Sequence, residues 1–178
     1  MPFDDKLPAG RWGDPASVNV YLNEEYYNTL TTTAKSQMID HVFYAGDIID
    51  RNDDLALQID DEKKIEWYGN IGLISISDYL KTFSDTNLCG SFKLLSENGL
   101  DCLDLSWLVN RCWSINGGSD FPDNTAYVVN AEGDAEPWSY LWWRYENPTN
   151  APIRPVVFLK SIIKLSGTGT QSDPFVLS

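Results

Sequence analysis

Apolar positions recur at helical spacing in the first part of the chain and at strand spacing in the last. Asp14-Pro15 reads as an N-cap followed by a proline at the first helical position. The helix it opens runs to about Leu30, with Val18, Leu22, Tyr26 and Leu30 along one face. Thr31-Thr32-Thr33 breaks it, and a short helix from Ala34 to Met38 follows. His41 to Ala45 reads as a strand that stops at Gly46. Residues 47–66 carry eight acids against Arg51, Lys63 and Lys64, with Leu55, Ile59 and Ile65 as a thin apolar stripe. That pattern predicts a solvated helix lying over the core. Trp67 to Ile74 reads as one strand. Ser77 then caps a short helix carrying Tyr79, Leu80 and Phe83, and a helical turn follows near Leu105 to Val109.

From Trp113 onward, turn residues alternate with short aromatic strands. These are Ala126 to Asn130, Trp138 to Trp142 and Arg154 to Leu159. Gly167 to Thr170 reads as a loop before a last strand at Phe175-Val176-Leu177. Helices first and strands later predict an α+β fold, with N-terminal helices packed on a small mixed or antiparallel sheet with long loops. No repeat, linker or composition shift divides the chain, so residues 1–178 are expected to form one domain. Trp67, Trp107 and Trp113 fall in apolar patterns and are assigned to the core. Arg154, beside Pro155, is expected to be buried or half-buried against a carboxylate.

Charge narrows the partners. The formal net charge is −13, which repels phosphate backbones and anionic lipid, so neither nucleic acid nor a membrane surface is expected. No apolar run is long enough to span a bilayer. The first residues lack the basic head and apolar stretch of a signal peptide. Either the protein is cytosolic or the sequence begins after a removed leader or anchor; the second is expected.

Cysteines and carboxylates offer little chemistry. Cys89 and Cys102 flank a polar, glycine-containing stretch. A disulfide between them is expected, worth about 3 kcal/mol on the chain-entropy model, with Cys112 left outside the bridge. Zinc is not expected, since no C-x-x-C pair occurs and His41 is the one histidine. A calcium site from Asp47, Asp50, Asp53 and Asp54 lacks the spacing of a glycine-bearing EF-hand loop. Nucleophile elbow, zinc-protease, P-loop and dinucleotide motifs do not occur. His41 reads as a structural histidine rather than a general base. No cofactor is expected.

The stretch from Trp113 to Asn150 interleaves aromatic with short polar residues, the mixture that favours recognition surfaces. Alternation in Trp138-Ser139-Tyr140-Leu141-Trp142 puts three rings on one face, which reads equally well as core. Four bulky residues then follow in a row, so Trp143 and Tyr145 go to the opposite face. The candidate ligand contacts are Trp143, Arg144, Tyr145, Asn147, Asn150, Tyr140, Asp120 and Asn124.

The run Ile153-Arg154-Pro155-Val156-Val157-Phe158-Leu159-Lys160-Ser161, continued by Lys164-Leu165-Ser166-Gly167 and Ser172-Asp173-Pro174-Phe175-Val176-Leu177, resembles the C-terminal signature of the DUF6273-type family of bacterial domains. Tyr21-Leu22-Asn23, Phe43-Tyr44-Ala45-Gly46, Trp67 to Ser75, and Trp113-Ser114-Ile115 resemble its earlier segments. The resemblance implies a C-type-lectin-like fold, similar to formylglycine-generating-enzyme relatives and to the variable proteins of diversity-generating retroelements. It implies a secreted or surface-displayed protein and a short Arg-Pro-Val strand inside a small sheet. Cys112 and the tryptophan-rich stretch from Glu136 to Asn150 depart from the family pattern. Glu146-Asn147-Pro148 has the wrong order for calcium-bridged sugar binding. The expected function is noncatalytic binding or adhesion, with a protein or glycan as ligand and an oligomer as a further possibility. The alternatives are a pilin-like or surface-fibre subunit and a glycosidase-like hydrolase.

Overall fold

A computed structural model of the chain describes residues 16–47, 54–82, 112–117, 125–129, 140–144 and 152–177, the last three strands before residue 152 in differing detail. For 125–129 and 140–144 only the backbone is described.

The first helix forms where its apolar period requires. It begins as α1 (Ser17–Val20), widens into a π-helical segment (Tyr21–Tyr26) and ends as α2 (Tyr27–Thr29). Val18 and Leu22 are fully buried, and Tyr26 and Leu30 pack against the same core. Its N-cap position is Ala16, two residues after the expected Asp14. Asn23, in the π segment, uses its amide as a strand would. It donates to the Ile71 carbonyl at 2.9 Å and accepts from the Ile71 N–H at 3.1 Å. That pair ties the helix to a strand 48 residues away.

The threonine run does more than end this helix. Leu30 turns extended, and the Thr31 hydroxyl accepts from the Ala34 N–H at 3.1 Å, capping α3 (Thr32–Gln37). Met38 therefore opens strand β1 (Met38–Ile39) instead of closing the helix. Strand β2 (His41–Tyr44) follows, and Gly46 runs against the end of α4 (Leu55–Glu62).

The segment read as one strand from Trp67 to Ile74 is two. Strand β3 (Glu66–Gly69) pairs with β2, while β4 (Ile71–Gly72) pairs with β8 (Val156–Leu159). The chain changes partner at Asn70. Helix α5 (Ile76–Leu80) is capped by Ser75, whose hydroxyl accepts from the Asp78 N–H at 3.1 Å. Ser77, the expected cap, lies inside the helix. Tyr79 and Leu80 are buried as expected.

Every described strand pair is antiparallel. β8 occupies the middle of a three-stranded sheet in the order β1-β8-β4. A second such sheet is β5 (Cys112–Gly117), β6 (Thr125–Val129) and β7 (Tyr140–Arg144), with an irregular register between Trp113 and Gly117. β9 (Leu165–Ser166) and β10 (Val176–Leu177) close a hairpin in which Gly167 sits at φ 97°, a conformation that favours glycine. The result is a mixed α+β fold. Its core gathers Val18 and Leu22 from the first helix, Phe43 from β2, Ile71 and Leu73 from the β4 region, and Trp113 and Ile115 from β5.

Two core expectations need amendment. Trp113 is buried, but Trp67 is only half-buried at the core's edge. Arg154 is exposed, not buried. Pro155 has no N–H for the ladder, and β8 begins only at Val156. Trp107, the turn near residues 105–109, and the Cys89–Cys102 pair lie outside the described residues.

Candidate functional site

Five segments distant in sequence line a cavity of about 330 Å³. β2 lines it along its length, from His41 to Tyr44, and β8 adds Val156 and Phe158. Leu73 and Ile115 form the apolar floor. Ile59 and Lys63 come from the end of α4, and Ser75, Ser77, Asp78 and Lys81 from around α5.

The wall is aromatic. His41 lies against Phe158 with ring centroids 3.6 Å apart and planes tilted by 36°. Phe43 meets Phe158 edge-on at 5.3 Å, and Trp67 backs Phe43 at 5.7 Å. Such geometry holds rings in place beyond their area burial. His41 is thus a packed histidine, in line with the structural reading, and its ring also borders the open space.

The rim is charged. Lys81 donates to Asp78 at 2.9 Å, an exposed pair. The Lys63 ammonium stands 5.9 Å from the centre of the Tyr44 ring.

Beneath the rim lies a polar network that the apolar pattern concealed. Gln58 and Glu62 are each only 1% exposed, although they belong to a helix expected to turn its polar face outward. The Ser77 N–H donates to Glu62 Oε1 at 2.9 Å, its hydroxyl donates to Oε2, and Gln58 donates at 3.3 Å. Burial raises the Glu62 carboxyl above its ordinary value, against the opposing pull of the Ser77 and Gln58 hydrogen bonds. A carboxyl whose folded value is raised gives the fold its full contribution below the ordinary carboxyl range. That contribution is lost as pH rises through the raised value. Glu62→Gln is therefore expected to flatten the pH profile. Urea unfolding at about pH 4 and about pH 8 should show the variant gaining on the parent at the higher pH. Parallel profiles would exclude this role for Glu62.

Next to this network, Asn116 of β5 accepts from the Ile76 N–H and donates to the Gly46 carbonyl, both at 2.9 Å. Cys112, at the start of β5, is buried. Burial pushes its thiol up to about 11 despite the nearby Arg154 charge, so it is protonated and a poor nucleophile at neutral pH.

Compared with family models, with curated proteins and with solved structures, the chain shows no match. The residues of the cavity therefore carry the functional argument alone.

Three of the sequence-derived contacts fall on a described strand. Tyr140, Trp143 and Arg144 belong to β7, where the register sets Tyr140 opposite Val129, Trp143 opposite Ala126 and Arg144 opposite Thr125. Tyr145, Asn147, Asn150, Asp120 and Asn124 lie outside the described residues, as do Asp50 and Asp53 of the calcium candidate. Asp54 serves as the N-cap of α4, accepting from the Ala56 N–H at 2.8 Å. Among the described residues, no group of three or more His, Cys, Asp or Glu is placed to hold a metal, and no helix is long and apolar enough to cross a membrane.

Sequence reasoning missed the cavity because no segment announces it. In the sequence His41 reads only as a histidine in a strand. A signal did exist in the two lysines, Lys63 and Lys81, each closing a helix that begins with acidic or hydroxyl residues. Nothing in their spacing tells that the two helix ends meet at one opening.

Proposed function

We propose that this domain is a noncatalytic binding module of a secreted or surface-displayed bacterial protein, with a C-type-lectin-like fold. The observation that carries the reading is the cavity between β2, β8 and α5, with its aromatic wall and charged rim. Its volume falls at the small end of ligand pockets, which run about 300–1,000 Å³. Apolar walls with a few placed polar groups are the usual make-up of such sites. The fold reading is supported by the Arg154-Pro155 dipeptide feeding straight into β8, the middle strand of a small sheet. The family resemblance implies an Arg-Pro-Val strand inside such a sheet; here Val156 opens the strand, with Arg154 and Pro155 just before it.

The test uses His41, whose imidazole gives a single histidine signal by NMR. A panel of oligosaccharides, peptides and small apolar acids, amines and alcohols is titrated against the domain. A ligand that shifts the His41 signal, and no longer binds when Ile59→Trp fills the cavity, supports the reading. A ligand indifferent to Ile59→Trp but lost on Trp143→Ala with Tyr145→Ala would move the site to the tryptophan-rich segment around β7. A panel without a single binder would overturn the binding-module reading.

A further inference from the structure

The cavity's chemistry narrows the class of ligand, on the reading that the domain is a binding module. We infer that it takes a small monoanion with a flat apolar body, such as an aromatic carboxylate.

Three observations combine. The first is the body of the site. His41, Phe43 and Phe158 make one continuous aromatic wall, and Leu73 and Ile115 are buried beneath it. Such a surface gains from contact with a flat apolar group, by area and by ring–ring geometry.

The second is charge. The chain as a whole carries −13, yet two ammonium groups, Lys63 and Lys81, border this one opening. Among the described lining residues, Asp78, paired to Lys81, is the one carboxylate. Among these described residues two cations and one anion sum to +1, which matches one carboxylate and undercompensates a phosphate dianion. Lysine ammoniums bind an anion as point charges, without the planar fork that arginine offers to phosphate.

The third is the commitment of the other polar groups. The Ser77 hydroxyl is taken by Glu62, and the Ser75 hydroxyl caps α5 and lies 3.2 Å from that of Ser77. A sugar ring needs several donors and acceptors. The serines that reach this cavity already spend theirs within the protein, so a polyol would lose more hydrogen bonds to water than it regained. An apolar body with one charged end loses least.

The experiment compares three probes of one shape: indole-3-acetate, the neutral indole-3-ethanol and the cationic tryptamine. Each is titrated against the intact domain at low salt, with the His41 imidazole signal as readout. The expected result is that indole-3-acetate binds about tenfold more tightly than indole-3-ethanol, a difference of about 1.4 kcal/mol. Tryptamine should bind more weakly than either. In Lys63→Met with Lys81→Met the advantage of the acid over the alcohol should vanish while alcohol binding persists. Both lysines are exposed, so the variant keeps its core. Equal binding of acid and alcohol, or a preference that survives loss of both lysines, overturns the charge assignment but leaves the pocket a binding site. Failure of all three probes to move His41, when another member of the wider panel does, overturns the aromatic-acid class alone. Failure of the whole panel overturns the binding-module reading with it.

Discussion

Asn116→Ala is expected to cost the domain about 3 kcal/mol, and to lower its melting temperature by about 10 °C. The side chain is completely buried and makes two hydrogen bonds to main chain, one to each side. Its Oδ1 accepts from the Ile76 N–H, and its Nδ2 donates to the Gly46 carbonyl. Alanine removes both partners and supplies none. A buried main-chain group left without a hydrogen bond costs about 1–3 kcal/mol, and here two are orphaned together. A small void is added where the amide stood. Thermal and urea unfolding of the variant measure the loss directly. A change below about 1 kcal/mol would mean that water or a shifted side chain replaces both bonds, and that Asn116 is not the joint described above.

Gly46→Ala is expected to be at least as damaging. The Cβ of alanine would stand 2.3 Å from the Asp61 carbonyl oxygen and 2.6 Å from that of Glu62. Both are main-chain atoms at the end of α4, so no side chain can swing aside. Helix and strand must separate, and the bond from the Gly46 N–H to the Glu62 carbonyl, now 2.8 Å, lengthens or breaks. Overpacking of this kind costs about 1–3 kcal/mol and occasionally more. The lost bond places this case at the upper end. Since Asn116 holds the same residue from its carbonyl side, the two substitutions share a joint. Their effects should not add, and the double variant should lose measurably less than the sum. Strict additivity in a double-mutant cycle would show that they act at separate places.

How far the sequence foretold these features depends on how local each one is. The first helix was legible because Val18, Leu22, Tyr26 and Leu30 recur with the helical period, and that face packs against the core. Strand β2 was legible from its bulk and from Gly46. The break at Asn70 was not, because residues on either side keep strand character and only the choice of partner changes. Ser75 and Ser77 are both competent caps, and selection between them depends on where α5 meets Glu62. Burial of Gln58 and Glu62 defeated the apolar-stripe argument for the same reason. The stripe assumes that charge faces water, whereas Ser77 offers Glu62 two donors inside the fold. The apolar neighbours of Arg154 point to the interior, but Pro155 delays the ladder past it and Arg154 is exposed. The aromatic cavity required five separate segments to converge, and that convergence has no local signature.

The position of β8 has a consequence for biogenesis. Its two neighbours, β1 and β4, leave the ribosome first, and about 85 more residues must be made before the strand between them arrives. At about 5–20 residues per second that interval lasts on the order of ten seconds. Throughout it, Met38–Ile39 and Gly72 carry main-chain groups that wait for the late strand, while Asn23 already holds those of Ile71. Nascent chains of this domain should therefore gain protease resistance in one late step, as residues 156–159 emerge, rather than gradually as the helices appear.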